Sequence, residues 1–367
     1  MDLQESYTIP MKNTLIITLI TILFSSCQEK RKDIDFADLF KVREDMTLTP
    51  IQDSNDLFLG KPWDILVLDD HIIVQDLVDG YWFALIDKHT GQLVKRFGVS
   101  GRGPGELLHP VSLSKDGRDF TFLDQQLRKL YVASIDSLIT GQPGYIKECI
   151  NLELPTQSYT DCRQLQRLSS GELIGTGVSP EGRLVRFDAN GKNARFFSPE
   201  YPHDPLHQNE DYKTKSMAYQ YHIALNQAEN RLCNVGGTAG QFEIFELTPD
   251  GMKQLVNHIY YLPKYTNHSN ENILQVGFTT ESKMGFSNLE TTADHIWFSN
   301  IKDELLNNRT QIIDYIGKFD WNGNPVKAYR VKGNLRIYGL DPDGTKIYGI
   351  ALNPETMEPE LVTAAIS

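Results

Sequence analysis

The densest group of metal-ligand side chains lies in an irregular stretch near the middle of the sequence, residues 201–215. Its imidazole and carboxylate groups are those of His203, Asp204, His207, Glu210 and Asp211. Such groups bind zinc only when several of them converge, and Pro202 and Pro205 predict a non-helical segment that holds them at irregular spacing. We therefore interpret the stretch as a solvated loop and as the best candidate for a lid or a partner contact.

A second set of side chains offers oxygen atoms, the ligands that calcium prefers. These candidates are Asp64, Asp161, Asn226, Asn234 and Asn300. They are far apart in the sequence, so they form a site only if the fold brings at least three of them together. Aspartate and asparagine also recur at turns for backbone reasons. We favour that explanation and expect no cofactor, with calcium on Asp64, Asp161, Asn234 and Asn300 as the alternative.

Aromatic side chains form the third candidate group, because Tyr and Trp are common at recognition surfaces. The residues concerned are Tyr81, Trp82, Tyr219, Tyr221, Tyr260 and Tyr261. The same residue types also fill the cores of β proteins, and we favour the core interpretation for most of them. From this group and the irregular stretch, the candidate ligand-binding residues are His203, His207, Tyr219 and Tyr221.

Motifs of common hydrolases are missing from the sequence, which contains neither GxSxG nor HExxH, and we assign no catalytic residue. The net charge of −12 and the lack of clustered Lys and Arg argue against nucleic-acid partners. Besides Cys27, the cysteines are Cys149, Cys162 and Cys233, without metal-binding spacing. A Cys149–Cys162 disulfide and three reduced, buried thiols both remain open.

The N-terminal residues have the layout of an export signal. Lys12 precedes an uncharged apolar run, residues 14–24, which is too short to span a bilayer as a helix and is followed by Ser-Ser-Cys. Cys27 after two small residues resembles the lipobox of bacterial lipoproteins, in which the cysteine thiol is diacylated and becomes the first mature residue. The alternative is an ordinary signal peptide or an uncleaved anchor with an incidental cysteine.

This layout divides the chain into three parts. We interpret residues 1–27 as the signal peptide, with Met11 as the true start and Cys27 as the lipidation site. Residues 28–36 form a charged tether, and residues 37–367 form the folded domain. The expected location is the bacterial cell envelope, where the lipid anchors the protein, in the outer membrane by preference; two or three acyl chains suffice for stable anchoring.

One apolar hairpin recurs along the folded part, in which a strand ends near a leucine, a polar turn follows, and a second strand begins. The leucines are Leu68, Leu113, Leu168, Leu225, Leu289 and Leu340, about 45 to 65 residues apart. A more polar hairpin falls between several of them, with Asp and Gly in its turn, as in Asp87–Gly91 and Asp188–Gly191. Paired inner and outer hairpins are typical of propeller blades.

The repeats predict an all-β fold, a six-bladed β-propeller of four-stranded antiparallel blades. After the sixth inner hairpin, residues 360–366 supply a third strand and leave little for a fourth. The segment 40–51 precedes the first blade, and we expect this N-terminal stretch to provide the missing strand and close the ring. A pair of β-sandwiches would not explain six matched hairpins, and a β-helix would have shorter repeats.

Between the first two blades lies a glycine-rich segment, Phe97-Gly98-Val99-Ser100-Gly101-Arg102-Gly103-Pro104-Gly105-Glu106. Its glycines permit a chain reversal with positive φ, and Pro110 fixes the start of the next strand. The segment resembles the blade linker of NHL-type propellers and, more closely, of the TolB-like six-bladed propeller lipoproteins of Bacteroides-type bacteria. That resemblance implies an envelope protein and supplies no catalytic residues.

Two functions of different classes are compatible with the sequence. We favour a lipid-anchored, non-catalytic binding or scaffolding module that presents one face of the ring to a protein, peptide or glycan. The alternative is a calcium-dependent, lactonase-like hydrolase with its site in the central channel. The side chains that line the channel distinguish the two.

Overall fold

Consecutive antiparallel β-sheets, arranged one per blade, make up the chain from Ile34 onward. The computed structural model describes residues 33–51, 57–141, 144–156, 161–270, 273–301 and 311–366. Within these ranges there are six sheets of four or five strands and one small two-stranded sheet. The predicted six-bladed propeller is thereby confirmed.

The first two strands precede the blades: β1 (Arg43–Thr47) and β2 (Thr49–Pro50). Blade 1 consists of β3 (Asp64–Val67), β4 (His71–Val78), β5 (Tyr81–Asp87) and β6 (Leu93–Val99). Blade 2 consists of β7 (Pro110–Asp116), β8 (Asp119–Asp124), β9 (Lys129–Ser134) and β10 (Ile146–Asn151). Blade 3 consists of β11 (Asp161–Arg167), β12 (Leu173–Ser179), β13 (Gly182–Phe187) and β14 (Arg195–Phe197).

Blade 4 consists of β15 (Tyr221–Asn226), β16 (Arg231–Gly236), β17 (Gly240–Thr248) and β18 (Gly251–Tyr261). The two-stranded sheet follows, with β19 (Tyr265–Asn267) and β20 (Val276–Phe278). Blade 5 contains β21 (Phe286–Thr291), β22 (His295–Ile301), β23 (Ile313–Asp320) and β24 (Pro325–Lys332). Blade 6 contains β25 (Leu335–Leu340), β26 (Lys346–Leu352) and β27 (Pro359–Ala365).

The N-terminal stretch closes the ring, as the sequence predicts. β2 pairs antiparallel with β27 and supplies the fourth strand of blade 6. β1 was not predicted as a separate strand: it pairs in parallel with β24 and becomes the fifth strand of blade 5. One continuous segment therefore joins the outer edges of two neighbouring blades.

Apolar side chains between the facing blades form the core. Blades 1 and 2 share a cluster around Phe83, Phe97 and Phe122, in which the rings of Phe83 and Phe122 lie 5.1 Å apart. A second cluster lies beneath the N-terminal 3₁₀ helix Phe36–Leu39, on blades 4 and 5. Because side chains of a strand alternate between its two faces, each blade packs against both of its neighbours.

The outer hairpins are built by aspartates that hold the turn from within. Asp188 accepts hydrogen bonds from the backbone N–H groups of Asn190 and Lys192, and Gly191 takes a φ of 75°. Asp87 and Gly91 repeat this arrangement in blade 1. The Asp-x-x-Gly pattern of the sequence therefore stabilises the backbone of the turn.

The glycine-rich segment reverses the chain between blades 1 and 2. Gly98 and Gly105 have φ values of 73° and 79°, and Ser100 forms a bridge with Leu107. The Glu106 carboxylate accepts the Gly103 N–H at 2.6 Å. β7 then begins at Pro110, as predicted.

Two short helices interrupt the strands. The first is α1 (Ile135–Thr140), which ends at Gly141 with φ 68°. α2 (Tyr212–Ala218) corrects the prediction that 201–215 is non-helical: the prolines act upstream, and Asp211 caps the helix by accepting the Thr214 N–H at 2.8 Å. Among the described residues, no helix has the length and apolar character needed to cross a membrane.

The three cysteines of the folded part are free thiols. Cys162 and Cys233 are buried, and Cys149 is exposed. The Cys149–Cys162 disulfide that the sequence left open is therefore not formed here, and the prediction that all three are buried is wrong for Cys149. The predicted signal peptide with Cys27 and the tether residues 28–32 lie outside the described ranges.

Candidate functional site

A central channel runs between the innermost strands β3, β7, β11, β15, β21 and β25 and encloses about 760 Å³. Each blade starts at this channel and proceeds outward, so the loops divide between the two ends of the ring. One end, which we call the long-loop end, carries the connections between blades: the glycine-rich segment, residues 198–220 and residues 262–285. Binding residues are found preferentially on such loops.

Polar side chains of the inner strands are used to join one blade to the next. The Ser112 hydroxyl accepts the Leu165 N–H and donates to the Leu165 carbonyl, both at 3.1 Å. Gln164 Oε1 accepts the Ile223 N–H at 2.8 Å, and Gln166 Nε2 donates to the Ile223 carbonyl at 3.1 Å. Inner strands separate as they surround a channel, and these side chains span the gap.

β-Bulges in the inner strands determine the direction in which some of these side chains point. The register shifts at Ser112 in β7 and at Asn288 in β21, where φ is 59° and 51°. Asn288 Oδ1 accepts the N–H of Tyr338 in the next blade at 3.4 Å. A bulge rotates a side chain out of the regular alternation, so sequence periodicity does not reveal which residues face the channel.

Three carboxyl groups line the channel; Asp341 is paired with Lys88, and the other two are Asp64 and Glu290. Burial raises the pKa of Asp64 to about 6, although the N–H groups of Ile65 and Leu113 donate to its carboxylate. Burial, and then the nearby charge of Asp64, raises the pKa of Glu290 to about 8. At neutral pH Glu290 is therefore mostly protonated, and the pair carries about one negative charge. Sequence reasoning missed Glu290.

Two arginines, Arg163 and Arg336, also line the channel and were missed. Arg163 donates to the Ser216 carbonyl at 2.9 Å. Arg336 makes no hydrogen bond within the described chain, its Nε is buried, and burial lowers its pKa. Neither guanidinium lies within ion-pair distance of a carboxylate in the described ranges. Both lie in the first half of an inner strand, Arg163 as the third residue of β11 and Arg336 as the second residue of β25, ahead of the apolar residues from which these strands were predicted.

His222 is the one imidazole on the channel wall among the described residues. Its Nδ1 lies 2.9 Å from Nε2 of Gln164, whose other amide atom accepts a backbone N–H. The amide nitrogen is therefore the donor, and the ring proton sits on Nε2. Burial lowers the pKa of His222, so the ring is neutral at pH 7.

The predicted calcium ligands are placed at separate positions. Of Asp64, Asp161, Asn234 and Asn300, Asp64 alone lines the channel. Asp161 accepts from Gln125 Nε2 at 3.1 Å, Asn300 accepts the Tyr315 N–H at 3.1 Å, and Asn234 donates to Glu243 at 2.7 Å. Asn226, the fifth candidate, donates to the Ala293 carbonyl at 2.8 Å. In the part of the chain described, no three His, Cys, Asp or Glu residues are grouped as a metal site requires.

The predicted binding residues lie at the long-loop end, and three of them converge. Tyr219 and Tyr221 are buried in one apolar cluster with Tyr265, and the His207 ring stacks on Tyr265 at 3.9 Å. His203 is exposed. Tyr219 and Tyr221 are therefore core residues at the end of the segment 198–220, whereas the histidines lie nearer its surface.

A buried ion pair between blades 3 and 4 stabilises the start of the segment 198–220. Arg183 binds Glu243 through two bonds of 2.6 Å each, and its Nε donates to the Glu200 carbonyl at 2.8 Å. The guanidinium also lies 4.7 Å from the ring centroid of Tyr221. Blades 3 and 4 and the start of the long loop are thus joined through one side chain.

The family model described as TolB-like 6-blade propeller-like matches residues 41–343. The resemblance noted in the sequence is confirmed by this match. A search of curated proteins finds no match.

Solved structures with the same fold include two from Bacteroides. A member of the DUF4221 family from Bacteroides vulgatus has a TM-score of 0.55 and 10% identity, over 88% of this chain and 96% of that one. A protein from Bacteroides fragilis that is named "putative exported protein" has a TM-score of 0.53 and 11% identity, over 89% of this chain and 98% of that one. A gluconolactonase from Xanthomonas campestris has a TM-score of 0.51 and 10% identity, over 87% and 89%. At such identities the likeness concerns the fold alone.

Proposed function

The chain belongs to the TolB-like six-bladed propeller family, and from that premise we propose that it is a lipid-anchored binding module of the bacterial cell envelope. The module uses the long-loop end of the ring to hold a protein, peptide or glycan, and it performs no chemistry on that ligand. Its anchor is Cys27, in the outer membrane, and its working form needs no cofactor.

Several polar side chains of the channel already form hydrogen bonds within the protein, and this supports a binding function over a catalytic one. A calcium centre needs six to eight oxygen ligands that are free to turn toward the ion. Asp64 already accepts two backbone N–H groups, and Ser112 and Gln164 are held in blade-to-blade bonds. The channel is therefore built as a rigid wall, a form that suits recognition of a ligand by fixed donors and acceptors.

Turnover assays distinguish the proposal from its hydrolase alternative, which is also the activity named for the Xanthomonas relative of this fold. We expect the soluble chain from Gln28 onward to leave lactones and esters unchanged, with or without added calcium. The same preparation should bind at least one member of a panel of envelope glycans and peptides, with an affinity that a chelator does not alter. Calcium-dependent turnover that disappears with chelator would establish the hydrolase instead.

The anchor has its own test. Replacing Cys27 with serine removes the thiol that receives the acyl groups, so we expect Cys27→Ser to abolish incorporation of labelled palmitate in the bacterial host. Cys149→Ser is the matched control, since Cys149 is an exposed thiol of the folded part, and it should leave labelling intact. Labelling that persists in Cys27→Ser would contradict lipidation at this residue.

A further inference from the structure

The charged residues of the channel wall do not balance. They are Asp64, Lys115, Arg163, Glu290, Arg336 and Asp341. Two of them are neutralised by partners: Lys115 bonds Asp69 at 3.0 Å, and Asp341 bonds Lys88 at 2.7 Å. What is left at neutral pH is two guanidinium groups against about one carboxylate, in a protein whose net charge is −12.

Arg336 is the least compensated of these charges. It makes no hydrogen bond within the described chain, its Nε is buried, and none of the three channel acids lies within ion-pair distance. Leaving a partly desolvated guanidinium without an acceptor is costly, and the planar group is suited to bind a carboxylate through two parallel bonds. The position therefore favours an anionic group from outside the chain.

An exposed indole lies at the same end of the channel as this guanidinium, on the neighbouring blade. Trp63 directly precedes β3, and Arg336 is the second residue of β25, the neighbouring inner strand, so both lie toward the long-loop end of the channel. The Trp63 side chain is 41% exposed, and Trp82 holds it edge-on at 5.8 Å. Trp82 in turn donates to the Leu107 carbonyl at 3.1 Å, which makes the platform rigid.

The opposite wall adds a group that both donates and accepts. Gln220 directly precedes β15 at the same end of the channel, and it is exposed. A carboxamide matches sugar hydroxyls, which also both donate and accept. The volume of about 760 Å³ falls within the range of small-molecule sites and exceeds that of a single sugar ring.

We propose that the long-loop end of the channel binds an acidic saccharide, with a hexuronate ring against Trp63 and its carboxylate on Arg336. Gln220 meets hydroxyl groups of the next sugar, and Arg163 lies on the far wall for a second carboxylate. This proposal rests on the binding function proposed above and gives that function a ligand class.

The test uses trigalacturonate and its fully methyl-esterified form, which differ in charge and keep the same sugar rings. Titration calorimetry of the soluble chain from Gln28 onward should give saturable binding of the acid and at least about tenfold weaker binding of the ester. Arg336→Gln should weaken binding of the acid at least about tenfold, as expected for loss of a charge-assisted pair, and Arg336→Lys should weaken it less. Trp63→Ala should weaken both ligands.

Arg330→Gln is the matched control and should bind like the wild type, because Arg330 is an exposed arginine of β24, far from the inner strand of blade 5. Thermal unfolding of each variant confirms that the fold is retained, since the substitutions lie at the channel wall. Equal binding of acid and ester, no binding of the acid, or an Arg336→Gln variant with wild-type affinity would overturn the acidic-saccharide proposal. If the acid fails while a neutral glycan or a peptide binds, the binding function stands; if the whole panel fails, that function falls too.

Discussion

Replacing Arg183 with methionine is expected to lower the free energy of unfolding by about 3–5 kcal/mol, the range for breaking a buried ion pair from one side. Arg183 is 4% exposed and Glu243 is fully buried. The loss comes mainly from Glu243, whose charge would remain in the core with only amide donors, Asn234 and Gln254, to stabilise it. Urea denaturation followed by fluorescence measures the change.

A second variant separates the charge effect from the loss of packing. In Arg183→Met/Glu243→Gln the buried charge is gone while the side-chain volumes stay similar, so we expect it to recover at least about 1 kcal/mol relative to Arg183→Met. Lys192→Met is the surface control: its pair with Glu153 is exposed on both sides, so we expect its loss to leave the stability nearly unchanged. A double variant no more stable than Arg183→Met would show that the charge is not the main cost.

The same variant reports on the long-loop end, because Arg183 also donates to the Glu200 carbonyl and lies against Tyr221. Loss of these contacts should increase amide exchange in residues 198–220 more than in the opposite blades. Arg183 therefore couples the stability of the fold to the structure of the proposed binding surface.

Much of the fold was predictable because each blade repeats a local pattern. Leucines at the inner hairpins, and Asp with Gly at the outer turns, act over a few residues, and both recur in the structure at the predicted places. The parallel pairing of β1 was not predictable: Arg43 and its partner Ala328 are far apart in sequence. Nothing local to an exposed edge strand specifies such a partner.

The channel wall was less predictable than the blades. Asp64 was found because acidic residues were sought, but Glu290 and Arg336 lie in strands whose bulges change the alternation. The polar residues Arg163, Gln164 and Gln166 of one inner strand were an available signal, since polar residues facing a narrow channel need partners. The calcium candidates failed to group because they lie at different positions of different blades: Asp64 and Asp161 begin the inner strands β3 and β11, whereas Asn234 and Asn300 lie in the second strands β16 and β22.

Phe40 should be the most sensitive position of the N-terminal closure. It is 2% exposed, and its ring packs against Phe36 at 5.3 Å and against Phe319 at 5.0 Å. Gly317 makes room for both rings, since a Cβ there would lie 2.6 Å from Phe40 Cζ. Phe40→Ala leaves a cavity that the surrounding blades cannot fill, and we expect a loss of about 3–5 kcal/mol in the free energy of unfolding.

The control lies two residues away, in the same segment. Val42 is 49% exposed, so Val42→Ala should change stability by less than about 0.5 kcal/mol. If the segment closes the ring, Phe40→Ala should also raise amide exchange in β24 and β27, the two strands that β1 and β2 pair with, before it does so in blade 2. Equal effects of the two substitutions, or exchange that rises evenly around the ring, would mean that the propeller is held closed without this segment. A force applied to the protein through the tether would then leave the ring closed.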